Sequence, residues 1–261
     1  AQQRIRLEVP IVPLFSIVIP AYKNAEFLRG CLDSIRSQSF GGWEAIVVVD
    51  GSPDDSADIA LSYVELDGRI KLINKPVNEG THLARRSGVL ASAGDYVYLL
   101  DADDQLPPDC LSQLADVAAN TDADMIHYGI RTIGVDIADA ERIGFENFIN
   151  KPMGLLLDSD IRDIAFDAKR GYLQDWRVTQ RVYSAHLIKQ AFEAMTTDRL
   201  GRAQDGYEYF VISSIARKQV TVNDVIALDY FYGRGENGDR LLEPGDFLRS
   251  ARDFQATIDA I

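Results

Sequence analysis

Three carboxylates within four positions, Asp101-Ala102-Asp103-Asp104, follow directly on the apolar run Tyr96-Val97-Tyr98-Leu99-Leu100. A buried strand that delivers three acids to one turn is costly unless something positive sits on them. A divalent cation held through carboxylate oxygens is the natural partner. A further acid, Asp205, stands in Gln204-Asp205-Gly206-Tyr207-Glu208-Tyr209-Phe210. Asp has a plain structural use there as a helix N-cap, beside any use as a proton acceptor. His82, His127 and His186 are scattered without metal-ligand spacing and read as packing or surface residues.

The elements that must position these acids alternate strand and helix. Residues 15–20 form a β-branched strand, and Asn24 is placed to cap a helix with Leu28, Cys31, Leu32 and Ile35 on one face. A strand over 44–49, a helix over 56–66, a strand over 69–74, a helix over 79–93 and a strand over 95–100 follow. Pro108 opens the next helix, where a missing N–H costs nothing, with Leu111, Leu114, Ala115 and Ala118 as its buried stripe. Residues 124–129 make another strand. Repeated β-α-β units predict an α/β fold with a mostly parallel sheet covered on both faces. Ligands of such sheets bind at the carboxyl ends of the strands. The turns Ala21-Tyr22-Lys23-Asn24, Asp50-Gly51-Ser52 and Asp101-Ala102-Asp103-Asp104 then face one crevice.

Residues 131–183 lack a clean period. Helices over 185–195 and 206–218, strands over 220–223 and 225–232, a loop at Gly233-Arg234-Gly235-Glu236-Asn237-Gly238 and a helix over 244–260 complete the reading. The 261 residues carry a net charge of −13 and a pI near 4.7, which argues against a nucleic-acid duplex or an anionic membrane as main partner. An anionic ligand would need local cations or a metal. Cys31 and Cys110 read as free thiols of a reducing compartment. The apolar stretch 9–20, broken by Pro10 and Pro13, is too short to span a bilayer, and no signal peptide is recognisable.

The acidic turn admits several readings. An EF-hand loop wants Gly at 106 and Glu at 112, where Leu106 and Ser112 stand, so that one fails. An aspartate-nucleophile phosphatase of the haloacid dehalogenase type also places Asp-x-Asp after an apolar strand, but near the chain start and before Thr or Val. A magnesium- or manganese-like ion bridging one or two carboxylates to a diphosphate fits as well. The plain alternative is an acidic turn whose carboxylates, Asp104 among them, cap the following helix.

Ser16-Ile17-Val18-Ile19-Pro20-Ala21-Tyr22-Lys23-Asn24 resembles the opening of the family 2 glycosyltransferases, GT-A-fold enzymes of bacterial polysaccharide biosynthesis. So do Val48-Val49-Asp50-Gly51-Ser52-Pro53-Asp54-Asp55-Ser56, Asn78-Glu79-Gly80 with Ala84-Arg85 and Gly88, and the stretch 96–108. Together they cover roughly residues 15–130 in order, and more loosely the rest to about 238; four motifs in sequence are far more specific than one.

The resemblance implies a GT-A (Rossmann-like), mostly parallel sheet flanked by helices, with a smaller C-terminal acceptor-side part. Residues 15–130 would bind the nucleotide-sugar, 131–240 would bring the acceptor side and the base, and 241–261 would be a terminal helix. Pro20, Tyr22, Asp50 and Asp101 would bind the nucleotide: Tyr22 stacking on uracil, Asp50 accepting from the imide, Asp101 contacting the ribose or supporting the metal. Asp103 would ligate Mn2+ or Mg2+, and Asp205 would be the catalytic base. Val49, Arg86 and Gln204 depart from the acid, Asn and Glu usual in the family. Arg85 reads equally as phosphate-adjacent and as part of a solvated helix face. Arg234 reads as a loop cation closing on a diphosphate or as a surface arginine, and Trp176 and Tyr183 as acceptor-side or core.

The implied activity is inverting transfer of a hexosyl or N-acetylhexosaminyl group from a UDP-sugar to a saccharide or lipid-linked hydroxyl, in cell-surface polysaccharide synthesis. It implies a cytoplasmic protein, with peripheral docking at the inner face of the cell membrane and no nucleic-acid partner. Two other readings stand beside it: a nucleotide-sugar binding module impaired in catalysis, and a phosphatase with Asp101 as nucleophile and Asp103 as acid.

Overall fold

The computed structural model describes residues 14–234 except 136, 168–175 and 202. The expected helix over 244–260 and the loop beyond Arg234 lie outside the described residues. The first half follows the sequence reading closely: β1 (Phe15–Ala21), α1 (Ala25–Arg36), β2 (Trp43–Asp50), α2 (Ser56–Leu66), β3 (Ile70–Lys75), α3 (Thr81–Ala91), β4 (Tyr96–Leu99), α4 (Cys110–Thr121) and β5 (Met125–Gly134). Leu28, Cys31, Leu32 and Ile35 are all buried, as the helical spacing requires.

Two helix starts differ from expectation. The Asn24 side chain makes no cap bond to α1; its Oδ1 accepts the Tyr22 N–H at 2.9 Å and so fixes the turn before the helix. Pro108 does not open α4, which begins two residues later, after Asp109 in the left-handed region (φ 62°).

The later elements are α5 (Asp139–Ile149), β6 (Leu156–Leu157), α6 (Ser159–Phe166), a 3-10 turn (Val178–Gln180), β7 (Arg181–Ser184), α7 (Ala185–Ala194), α8 (Gln204–Ile215) and β8 (Lys218–Tyr232). The two strands expected at 220–223 and 225–232 are one. β8 carries an irregularity where its register against β5 slips at Tyr128–Ile130, which reads in sequence as a break.

Eight strands form one sheet in the order β3-β2-β1-β4-β7-β5-β8-β6. β1, β2, β3 and β4 pair in parallel, β7 is antiparallel to both β4 and β5, and β8 runs parallel to β5. β1 is buried on both faces. Its Phe15, Ile17 and Ile19 join α1, α2 and α4 in one core, and Val18 joins α6, α7 and α8 in the other. Among the described residues no helix is long and apolar enough to cross a membrane.

Candidate active site

After β4 the chain turns, and the Asp104 N–H donates to the Asp101 carbonyl at 3.1 Å. α1 holds one side of this turn: the Leu106 N–H donates to the Ser34 hydroxyl (3.0 Å) and Gln38 Nε2 to the Pro107 carbonyl (2.8 Å). β8 holds the other, since Gln105 and Asp229 exchange both backbone bonds at 3.2 and 2.9 Å. The turn is therefore fixed from two layers, and its carboxylates point where the fold sends them.

The three acids have different surroundings. Asp104 is buried, and its Oδ1 accepts the Phe231 N–H at 3.0 Å. It ties the turn to β8 and does not cap α4, which starts six residues on. Asp101 Oδ1 accepts from Arg85 Nη2 at 3.1 Å. The Asp103 carboxylate is supported by its own backbone N–H, and burial followed by the Asp101 charge pushes it up to about 6. Burial also raises Asp104 well above the usual carboxylate range and raises Asp101, with Arg85 pulling the latter back. Arg234 Nη1 donates to the Asp103 carbonyl (3.4 Å) and its guanidinium lies over the Phe231 ring, 3.8 Å from the centroid. That arginine stands at the edge of the acidic turn.

Arg85 is no solvated residue. A Cβ on Gly88 would lie 2.3 Å from Val18 Cγ1, so α3 rests on β1 with only a hydrogen between them. This approach carries Arg85, one turn earlier, into the carboxyl end of the sheet, where it is 2% exposed. Its Nη1 donates to Asp205 Oδ1 (2.5 Å) and Glu208 Oε2 (2.9 Å) while Nη2 holds Asp101. The charges of Asp205, Glu208 and Asp101 overcome the cost of burial and raise the Arg85 pKa further. Fully buried His82 stands behind: Nδ1 lies 2.9 Å from Glu208 Oε1 and Nε2 lies 3.0 Å from the Thr196 carbonyl.

Asp205 is the second residue of α8, and its side chain makes no cap bond. The N-cap role expected for it is replaced by the ion pair with Arg85. Glu208, one turn on and buried, was not picked out as a site residue from sequence, nor was His82. The available signal was the buried stripe of α3, which runs through His82, Arg85 and Val89 and so puts polar residues where apolar ones belong.

The expected nucleotide side occupies the neighbouring loops. Pro20 is buried in β1 opposite Val48, and Tyr22 is 41% exposed at the strand's end. The loops after β1 and β2 are joined by three bonds: Lys23 N–H to Ser52 Oγ (2.8 Å), Asn24 N–H to Ser56 Oγ (3.3 Å) and Ala25 N–H to Asp54 Oδ2 (3.0 Å). Burial works to raise Asp54, but bonds from Ser52, Ser56 and Ala25 outweigh it and lower its pKa to about 2. Asp50 is buried and accepts the N–H groups of Glu79 (3.1 and 3.0 Å) and Gly80 (2.7 Å), placing negative charge before the start of α3. Gly51 has φ +60°, and a Cβ there would meet Val77 C at 2.4 Å, so the turn needs glycine.

Arg85 thus unites Asp101 and Asp205, which are far apart in sequence, with Asp103 beside them. Tyr22 and Asp50 lie on adjoining loops at the same sheet end. Among the described residues no three His, Cys, Asp or Glu side chains converge as a metal cage. Asp103 alone of the turn has its carboxylate turned neither to Arg85 nor to the β8 backbone. An oxygen donor with a raised pKa fits a hard cation that draws its remaining ligands from phosphate and water.

Residues 16–177, more than half of the chain, match the family described as Glycosyl transferase family 2. The putative glycosyltransferase EpsH of Bacillus subtilis (strain 168) is 34% identical over 133 residues, 48% of this chain and 38% of EpsH. The putative teichuronic acid biosynthesis glycosyltransferase TuaG of the same organism is 27% identical over 151 residues, 58% of each chain. The chain spans well under half the length of EpsH and, at 34%, of EpsJ. S. aureus TarS 1-349 in complex with UDP-GlcNAc superposes with a TM-score of 0.67 at 19% identity, covering 94% of this chain and 66% of that one. A mannosyltransferase from Pyrobaculum calidifontis in complex with GDP-Man and Mn2+ gives 0.58 at 16% identity, over 82% of this chain and 56% of that one. The sheet and its flanking helices are the GT-A fold, and the chain belongs to glycosyl transferase family 2.

Proposed function

We propose that this chain is the donor-binding and catalytic unit of an inverting glycosyltransferase that uses a UDP-sugar and a divalent cation, Mn2+ or Mg2+. The observation that carries the reading is the Arg85 bridge, which sets the Asp205 carboxylate against the Asp101 end of the acidic turn. Such a pairing puts a proton acceptor beside a diphosphate site, as a single displacement at an anomeric carbon requires. TarS bound to UDP-GlcNAc supports the choice of a uridine donor carrying an N-acetylhexosaminyl or hexosyl group.

Tyr22 offers its ring to the base and Asp50 a carboxylate to the imide, with Pro20 shaping the floor between them. Asp103 holds the cation, Asp101 the ribose side, and Arg85 fixes Asp101 in place. A divalent cation held at Asp103 would supply charge neutralisation for the departing diphosphate. With Asp205 Oδ1 taken by Arg85, Oδ2 meets the acceptor hydroxyl and takes its proton as the oxygen bonds to the anomeric carbon and UDP leaves from the opposite face. One displacement inverts the centre.

The acceptor is a saccharide or lipid-linked hydroxyl supplied from the 131–240 half, as in cell-surface polysaccharide assembly at the inner face of the membrane. TuaG, named for teichuronic acid biosynthesis, supports that setting. The test is calorimetric titration with UDP, GDP and inorganic phosphate, with manganese and then with EDTA. Metal-dependent binding of UDP but not GDP is expected. No UDP binding in either condition sinks the reading and brings the phosphatase forward, with an aspartyl-phosphate at Asp101 as its mark. Retained UDP binding with no turnover in wild type favours the impaired binding module.

A further inference from the structure

An aromatic surface begins one residue beyond Asp205. Trp176 is 38% exposed, and its Cγ lies 4.0 Å from where a Cβ on Gly206 would stand. A Cβ there would touch the indole at ordinary van der Waals distance, so the ring lies directly against this turn of α8. The Trp176 ring is stacked on Phe166, with centroids 6.3 Å apart and planes 19° from parallel. Phe166, 37% exposed on α6, meets Phe210 edge-on at 5.5 Å. Gly206 and Phe210 are four apart on α8 and share a face, so the rings run along the flank of the helix whose first turn carries Asp205.

Burying a large aromatic side chain is strongly favourable, and leaving two of them partly open together has a cost the fold does not recover. The platform is narrow. Arg162 and Asp163, ion-paired at 2.8 Å, lie one turn before Phe166 on α6. A flat aromatic face with a rim of charged hydrogen-bonding groups suits a pyranose ring, whose axial C–H groups stack while its hydroxyls reach the rim. An acyl or prenyl chain wants a wider apolar surface without such a rim.

We infer that Trp176, backed by Phe166, is the stacking platform for the acceptor sugar ring, one that presents an acceptor hydroxyl to Asp205. This deepens the proposed glycosyl transfer and rests on it. The acceptor is then a saccharide with an apolar pyranose face at its reacting end, and Trp176 sets acceptor affinity without touching the donor.

Only two tryptophans occur, and Trp43 is buried out of reach of iodide, so the iodide-quenchable part of the emission reports on Trp176. Gluco-, galacto- and N-acetylgluco-configured oligosaccharides and the octyl chain of octyl maltoside are titrated with UDP and manganese present, beside iodide quenching. At least one free oligosaccharide should shift the emission and protect it, and W176F should lose the signal. In kinetics with the responding oligosaccharide, W176A should raise the acceptor KM by roughly tenfold or more, about the value of one aromatic contact. W176F should recover part of it, and UDP-sugar hydrolysis without acceptor should match wild type in both.

A response to the octyl chain but to none of the free sugars overturns the inference in favour of a lipid surface. No response from any sugar, or an acceptor KM within twofold of wild type in W176A while donor hydrolysis proceeds, overturns it as well and leaves the donor reading intact. Loss of UDP binding in the wild-type chain is the separate failure of that reading. W176F keeps a ring in place, so a folding defect confined to W176A does not remove the test.

Discussion

The two ends of the parallel strands treat carboxylates in opposite ways. At the amino end of β2, Glu44 is buried but fully answered: Oε1 accepts from the Ser16 hydroxyl (2.5 Å) and the Ala93 N–H (2.7 Å), and Oε2 from Lys71 Nζ (2.6 Å). Desolvation works to raise its pKa, yet the bonds from Lys71, Ser16 and Ala93 win and lower it. At the carboxyl end of β4, burial wins for all of Asp101, Asp103 and Asp104, and their pKa values rise. The amino end has a donor for each oxygen, so its charge is structural. The carboxyl end shares one buried guanidinium among Asp101, Asp205 and Glu208, with His82 behind Glu208, so its carboxylates outnumber the cations that face them and a ligand or a cation can answer the rest.

Breaking the carboxyl end should be felt first in chemistry. Asp205→Asn should lower kcat by roughly 10²–10⁴-fold, the usual worth of a general base, with the UDP dissociation constant near wild type. If D205N loses UDP affinity along with turnover, Asp205 is holding the site together and is not its base. Arg85→Ala should cost about 3–5 kcal/mol in urea unfolding, since it leaves the buried Glu208 with His82 alone and takes the cation from the partly exposed Asp101 and Asp205. R85A with wild-type stability would show that the three acids relax without it. Asp103→Asn should weaken manganese-dependent UDP binding by roughly tenfold or more, leaving the metal-independent part unchanged. Equal loss in manganese and in EDTA would move the cation off Asp103.

The same contrast explains what was legible in the sequence. Residues 15–130 could be read because strands buried on both faces are unbroken β-branched runs, and each helix there shows an apolar stripe. Between 131 and 183 the helices bury little: Ile149 alone on α5, Ile161 and Ala165 on α6. One or two anchors do not make a period, so neither helix is legible in the sequence. Asp101, Asp103 and Asp205 were visible as acids placed where turns deliver them. Glu208, His82 and the burial of Arg85 were not, because a charged residue on a helix reads as solvated until the partner across the fold is known. The partners here are 123 and 126 positions away for the Arg85–Glu208 and His82–Glu208 bonds, beyond the reach of local pattern.

The amino end gives the smallest and most specific effect. Glu44→Gln should leave kinetics untouched and cost about 1–3 kcal/mol, because the amide keeps the shape but loses the charge that Lys71 and the Ala93 N–H bind. The sign of its pH dependence follows from the lowered pKa. Folded Glu44 gives up its proton more readily than the unfolded chain does, so between the two values the unfolded state binds more protons. Its contribution is complete above the unfolded value of about 4.3 and fades as pH falls through the folded one. Asp54, lowered to about 2, should behave alike over the interval from about 3.9 down to about 2, more weakly because it is only half-buried. Urea midpoints of wild type and E44Q, measured from pH 7 to pH 3, should therefore converge at the acid end. A constant gap across that range would mean that the Glu44 bonds matter through shape and not through charge, and the contrast between the two sheet ends would lose its electrostatic basis.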